Sequence, residues 1–254
     1  MKANTLEDTE TYTKEYLVDE YEKINVKYRR MKVLEILNQH KPRRILEIGC
    51  GAQSLFEFYS DFDSFTIVEP SAEFCSIAEK SARLTNRVHI FNGFFGTNEM
   101  NRKLADGGGG YGCIVISSLI HEVPDYEPIL RSARDLCDEA TFVHVNVPNE
   151  DSFHLLWALE AGLIERLDTL SETAKRLQRS RTFNLEKLRK AVEANGFEIT
   201  EQGSYAFKLF NNAKMLRLLH DGIIDENLLD ALNRLPRLFP QNGAEIFVNC
   251  RKIL

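Results

Sequence analysis

The chain has 254 residues, is 43% hydrophobic and 28% charged, and carries a net charge of −6 with a pI near 5.6. That balance suits one large soluble globular domain or a domain with a cap, and it disfavours nucleic acid as a partner, because a long polyanion calls for a basic surface. Five cysteines with no C-x-x-C pair argue against a disulfide scaffold or zinc ribbon, the absence of a long apolar run argues against membrane insertion, and the polar N-terminus "MKANTLEDTETY" lacks a signal-peptide core; a cytoplasmic location fits all three.

Residues 1–42 read as an N-terminal helical lid. Leu17, Val18, Tyr21, Ile24, Tyr28, Met31, Leu34 and Leu37 recur at mostly helical spacing, and Pro42 ends the segment. Strands and helices then alternate. "RILEIG" is strand 1, "AQSLFEFYSDF" a helix, "SFTIVE" strand 2, and Pro70-Ser71 opens a helix through "AEFCSIAEKSARL". "RVHIF" is strand 3, "CIVISS" strand 4, "YEPILRSARDLC" a helix with Asp125 as its N-cap, and "ATFVHVNV" strand 5. "DGGGGYG" is a loop. Residues 152–180 look like an inserted helical segment, 184–197 a helix stopped at Gly196, and "EITEQGSYAFKLF" a strand. Two more helices follow within 211–235, and "AEIFVNCRK" is a final strand.

Near-continuous apolar strands separated by helices imply a doubly wound, mostly parallel sheet. Ligands in such sheets bind outside the carboxyl ends of the strands. Strand 1 runs there into Gly49-Cys50-Gly51, whose glycines allow a sharp turn and close backbone approach. Glu69 stands about twenty residues on at the end of strand 2, where a carboxylate accepts ribose hydroxyls. An adenosine ligand fits. An NAD-type oxidoreductase is the competing reading, but Ser54 stands where G-x-G-x-x-G has its third glycine, and Glu47 suits a positively charged ligand better than a pyrophosphate.

"ILEIGCG" followed by "VEPS" resembles the first motif and acidic second-strand end of the class I S-adenosylmethionine (SAM)-dependent methyltransferases. "HIFNGFF", "ISSLIHEVPDY" and the late strand "AEIFVNCRK" extend the likeness, with recognisable motifs over roughly residues 28–148. The resemblance implies a Rossmann-like α/β fold with a seven-stranded mostly parallel sheet. It implies a SAM-binding domain over 43–254, with helical cap insertions at about 150–180 and 211–235. It implies SAM as cofactor and S-adenosylhomocysteine as product. Carried over, Glu47, Gly49 and Gly51 line the methionine and ribose side, and Glu69 holds the ribose. Asn92 and Gly93 meet the adenine with Phe94 as a wall, and Ser117 and Leu119 lie near the sulfonium. Gln53 departs from the small residue common at its place.

An acceptor hydroxyl needs a base, whereas a phosphate or phosphoramidate oxygen does not. His121, after strand 4, is a base candidate; hydrogen bonding to the loop or to SAM is the equal alternative. His154 is the second candidate, while His144 alternates within strand 5 and reads as structural. No metal-ligand spacing is present. "VNVPNEDSFHLLWALEAGLI" and then "TFNLEKLRKAVEANGFEITEQGSYAFKLFNNAKM" resemble methyltransferases of bacterial capsule and lipopolysaccharide biosynthesis, which implies a small-molecule acceptor: a sugar, a sugar nucleotide, or a phosphorylated or phosphoramidate decoration. Asn146 and Asn149 are then candidates for its hydroxyls, Arg181, Lys208 and Lys214 for an anionic group. Tyr12, Tyr16 and Tyr21 are placed to close the first helix over the site, and Trp157 packs within the cap. The expected state is a monomer or homodimer.

Overall fold

The computed structural model describes residues 9–107, 110–170 and 180–253. Seven strands form one sheet: β1 (Arg44–Ile48), β2 (Ser64–Glu69), β3 (Val88–Asn92), β4 (Cys113–Ser117), β5 (Phe142–Pro148), β6 (Phe197–Tyr205) and β7 (Glu245–Lys252). Their order is β3-β2-β1-β4-β5-β7-β6, and β7 alone runs antiparallel to its neighbours. The order reverses between β1 and β4, which opens a crevice at their carboxyl ends. The expected doubly wound, mostly parallel sheet is therefore present.

The two-residue period of the strands sorts side chains into two cores. From β1, Leu46 and Ile48 join one core with Leu130 of α5 (Glu127–Leu136) and Leu188 of α7 (Leu185–Glu193). Ile45 joins the other, with Val33, Ile36 and Leu37 of α2 (Glu20–His40) and Phe74 of α3 (Ala72–Ala82). Glu47 shares the parity of Ile45, so it stands on the α2 side, one residue short of the crevice. Full burial of each such aliphatic contributes about 1.5–3 kcal/mol.

The N-terminal helical stretch is two helices. Asp19 breaks it, capping α2 through an acceptor bond from Glu22 N (3.0 Å) and leaving α1 (Thr9–Val18) as a separate piece. The helix expected over "AQSLFEFYSDF" is not there. Only one 3-10 turn, Leu55–Glu57, forms. Leu55, Tyr59 and Phe62 are drawn into the α2-side core, and Glu47 takes the Leu55 amide that a helix would have to place elsewhere. One helix had no counterpart in the sequence reading: α4 (Asn98–Asp106), capped by Thr97 Oγ1 accepting from Met100 N (3.3 Å). Asp125 accepts from Glu127 N (3.0 Å), although the capping position itself is Tyr126. In the cap, α6 (Phe153–Glu160) gives way to turns up to residue 170, and the rest of the expected helical segment, 171–179, lies outside the described residues. The later pair is as expected: α8 (Asn212–His220) and α9 (Glu226–Arg234).

Ile116 pairs in register with Ile48 and lies one residue before the crevice, fully buried. Ile116→Ala should lower unfolding free energy by about 2–5 kcal/mol at unchanged m-value in urea. A loss within about 0.5 kcal/mol would show that this layer of the sheet is not closely packed.

Candidate active site

The crevice begins with the turn after β1. Gly49 and Gly51 hold φ of +78° and +57°, backbone that side-chain-bearing residues rarely adopt. A Cβ on Gly49 would meet nothing within 4 Å, so the turn borders open space. Glu69 fixes its shape. One carboxylate oxygen accepts from Cys50 N (3.0 Å) and Gly51 N (3.3 Å), and the other accepts from Ser71 N (2.8 Å). Burial raises the Glu69 pKa, and those backbone N–H groups oppose the rise.

Glu47 lies beneath the turn. Burial pushes its carboxyl up to about 8, although the Ser54 hydroxyl and Leu55 N donate to it. Only a 3-10 turn follows β1, so the α-helix start that would receive a pyrophosphate over this turn does not form. The carboxylates of Glu22, Glu47, Glu69 and Glu122 line the space, against the guanidinium groups of Arg29 and Arg30. Such a lining suits a cationic ligand with an adenosine body.

The floor is set by β4 and β5. Ser118 has φ +54°, an uncommon conformation for a non-glycine residue, and Asn146 holds it there: Ser118 N donates to the Asn146 carbonyl (2.9 Å) and to its Oδ1 (3.0 Å). Asn146 Nδ2 also bonds Ser117 Oγ (2.9 Å) and His144 Nε2 (2.8 Å). Burial lowers the His144 pKa to about 4, so the ring is neutral, and its Nδ1 meets Asn249 Oδ1 (2.7 Å).

The roof is α1. Tyr12 and Tyr16 stack at 5.9 Å, Tyr16 packs edge-on to Phe74 at 5.8 Å, and Tyr12 Oη donates to Glu122 Oε1 (3.1 Å). Their rings fill most of the crevice and leave a cavity of about 110 Å³. Ligand clefts run to roughly 300–1,000 Å³, so a nucleoside needs α1 to move outward.

Among the sequence-predicted residues, Glu47, Gly49, Gly51, Glu69, Ser117, Leu119 and Tyr16 line this cavity. Asn92, Gly93 and Phe94 do not: Asn92 Nδ2 is spent on the carbonyls of Glu69 (3.0 Å) and Pro70 (3.1 Å), and Gly93 N donates to Glu69 O (3.0 Å). His121 is also off the lining. The tight turn closed by Glu122 N to Leu119 O (2.9 Å) buries its ring, 3.7 Å from Glu122 Oε1, and Glu122 reaches the cavity instead. Asn146 braces the floor, and its amide is already committed. Sequence reasoning missed Glu122, whose signal was its place beside His121, and Arg29, whose signal "KYRRM" reads as an ordinary basic helix face.

A second cavity, of about 360 Å³, lies under the cap and is lined by Asn149, His154, Arg181 and Lys208 together with Asn25 and Glu245. Asn149 Nδ2 is held by the carbonyls of Gln241 (2.9 Å) and Gly243 (2.8 Å). The Arg181 guanidinium donates to Pro124 O and lies over the Tyr126 ring at 4.7 Å. Lys208 Nζ donates to Asn212 Oδ1 (3.0 Å) and lies 5.8 Å from the ring of Tyr21, which is buried below it. His154 Nδ1 meets Ser152 Oγ (3.1 Å), and burial, then the charge of Lys208, hold its ring well below the usual histidine range. Lys214 sits over Phe210 at 5.7 Å and Trp157 packs tilted against the same ring at 5.0 Å; neither lines either of these two cavities. Among the described residues no group of three His, Cys, Asp or Glu side chains is placed to hold a metal, and no helix is long and apolar enough to cross a membrane.

Fold and crevice together define a nucleoside-binding α/β protein of the methyltransferase type. The methyltransferase-domain family profile matches residues 22–202, and the chain belongs to that family: it is a SAM-dependent methyltransferase. No curated protein matches the sequence. Among solved structures it is similar to a SAM-dependent methyltransferase of Thermotoga maritima described as a possible histamine N-methyltransferase (18% identity, 95% of this chain and 98% of that one, TM-score 0.56). It is similar to the N-methyltransferase NodS of Bradyrhizobium japonicum with S-adenosylhomocysteine (8% identity, 95% and 98%, TM-score 0.57). It is also similar to the [4+2]-cyclase SpnF (15% identity, 88% and 80%, TM-score 0.57). At these identities the likeness is one of fold.

Glu69→Ala should weaken S-adenosylhomocysteine binding by about 1–3 kcal/mol in a calorimetric titration, the range for lost hydrogen bonds to a charged group; unchanged affinity would remove Glu69 from the site. Glu47 gives a pH signature. Its raised pKa leaves it largely protonated at neutrality, and a ligand cation beside it favours the carboxylate. Binding should then release a proton, and affinity should rise between about pH 6 and 8. Titrations in buffers of different ionisation enthalpy would measure the proton, and Glu47→Gln should abolish its release. Equal release from the variant contradicts the assignment.

Proposed function

We propose that the protein is a SAM-dependent O-methyltransferase acting on a small polar acceptor of surface-polysaccharide biosynthesis: a sugar, a sugar nucleotide, or a phosphorylated or phosphoramidate decoration. The second cavity carries the proposal. Its wall sets amide side chains and the cations of Arg181 and Lys208 beside apolar Leu155, Leu167 and Leu170, a lining that offers partners to the hydroxyl and anionic groups of a polar acceptor. The resemblance of the cap region to capsule and lipopolysaccharide methyltransferases supports the same class.

When bound, SAM supplies a methyl carbon already activated by its sulfonium, so the chain's own work is alignment and exclusion of water. Within the N-terminal segment α1 acts as the lid, with Tyr12 and Tyr16 shutting the cofactor side. Glu69 holds the ribose. Glu47 faces the positive end of the ligand, and Ser117 and Leu119 form the floor. Asn92, Gly93 and Phe94 come to the adenine once α1 withdraws. On the acceptor side, Asn149 shapes the wall, and Arg181 and Lys208 meet the anionic group.

His154 is the better-placed base. Its ring is neutral at physiological pH, so its second nitrogen is available to take a hydroxyl proton. His121 acts from behind Glu122 as a positioning residue. A second reading, an amine acceptor, is favoured by one observation: Glu122 and Glu245 put carboxylates on the walls of the two cavities, where an ammonium would find partners.

The test is methyl transfer from labelled SAM to a panel of sugar nucleotides, phosphosugars and small amines, with products read by mass. Label on a sugar oxygen supports the proposal; label confined to amines selects the second reading. With a hydroxyl acceptor, His154→Ala should lower kcat by about 10²–10⁴-fold with little change in SAM affinity. A raised KM at unchanged kcat would make His154 a binding group only.

A further inference from the structure

The two cavities are separated by one layer of side chains, and that layer is ionic. Glu22, Asn25 and Arg29 lie three and four residues apart on α2, hence on one face of it. Asn25 Nδ2 donates to Glu22 Oε2 (2.9 Å), Arg29 Nη1 to Glu22 Oε1 (3.2 Å), and Arg29 Nη2 to Glu245 Oε1 (2.8 Å). Glu22 and Arg29 line the cofactor cavity, while Asn25 and Glu245 line the second. The side chains of Arg29, Glu22 and Glu245 are 8%, 4% and 7% exposed.

Charges buried this deeply normally have all their hydrogen-bonding groups satisfied. Here three neighbouring atoms lack a partner: Arg29 Nε, Glu245 Oε2 and the hydroxyl of Tyr205, which pairs in register with Glu245. Arg29 lines the cofactor side and Glu245 the acceptor side. The cofactor's amino-acid end carries a carboxylate, and it must enter a space lined by Glu22, Glu47, Glu69 and Glu122. Of the two guanidinium groups there, Arg30 is already stacked on Phe58 at 3.8 Å and bonded to Gln53 Oε1 (3.0 Å). Arg29 keeps an unused N–H, and its rigid fork matches a carboxylate.

We propose that Arg29 receives the cofactor's carboxylate, that this carboxylate competes with Glu245 for the guanidinium, and that Glu245, so loosened, turns its oxygens to the second cavity to accept the hydroxyl hydrogens of the acceptor. Cofactor binding thereby prepares the acceptor site. The inference rests on the proposed acceptor class for its last step and on the methyltransferase assignment for its first.

The experiment compares S-adenosylhomocysteine with 5′-methylthioadenosine, which has the same nucleoside but no amino-acid end, by calorimetric titration. Wild type should bind S-adenosylhomocysteine more tightly. Arg29→Gln should cost that ligand about tenfold or more and leave methylthioadenosine within about twofold. Glu245→Gln should strengthen S-adenosylhomocysteine binding by about fivefold, because the competitor for Arg29 is weakened, again with methylthioadenosine unmoved. Retained methylthioadenosine binding reports an intact fold. Arg29→Lys, which keeps the charge and loses the fork, and the double variant Arg29→Gln/Glu245→Gln, which leaves no excess buried charge between these two positions, stand in if Arg29→Gln does not fold. Equal losses for both ligands, or an unchanged or weaker S-adenosylhomocysteine affinity in Glu245→Gln, overturn the proposal. If wild type binds neither ligand, the failure lies with the cofactor assignment itself.

Discussion

The carboxylate of Glu69 ties together the three pieces of backbone that make the crevice. It accepts from two amides of the turn after β1 and from one at the start of α3, so the ends of β1 and β2 and the cap of a helix share one anchor. Those amides face away from regular secondary structure, and buried N–H groups without partners would each cost a few kcal/mol. The glycines supply the backbone angles, but the carboxylate decides which of the angles open to glycine is used. The turn therefore has its shape before any ligand arrives, which spares that part of the site an ordering cost on binding, while the roof of α1 has still to move.

A second constraint acts at longer range. α2 packs along the Ile45 side of the sheet, and Arg29 joins it to β7 through Glu245. The antiparallel strand thus does more than close the sheet. It delivers a carboxylate to the boundary between the two cavities, with β6 paired along its other edge. The floor is braced in the same way: Ser117, Asn146, His144 and Asn249 form an unbroken hydrogen-bonded chain from the crevice through β5 into β7. That chain accounts for a histidine buried at the centre of a strand.

What sequence reveals here follows the range of the forces involved. Strand periodicity, the Gly49-Cys50-Gly51 turn and the spacing to Glu69 are local or depend on a repeating connection, and all three appear in the structure as read. The missing helix after β1 was hidden because Glu47, Tyr59 and Phe62 override local propensity only once the α2 core exists. α4 had a visible capping threonine but little apolar content to mark it. Arg29 looks like one more cation in "KYRRM" until a glutamate 216 residues away arrives beside it. That Glu122 rather than His121 reaches the cavity depends on a single tight turn that no periodicity encodes.

The acidic lining of the crevice has a consequence for turnover. Four glutamates, set against Arg29 and Arg30, line the space for a ligand that carries a sulfonium before transfer and a neutral thioether after it. In a space this shielded from water, loss of one positive charge removes much of the attraction while the shape of the ligand hardly changes. As far as charge goes, such a lining favours the fresh nucleoside over the spent one.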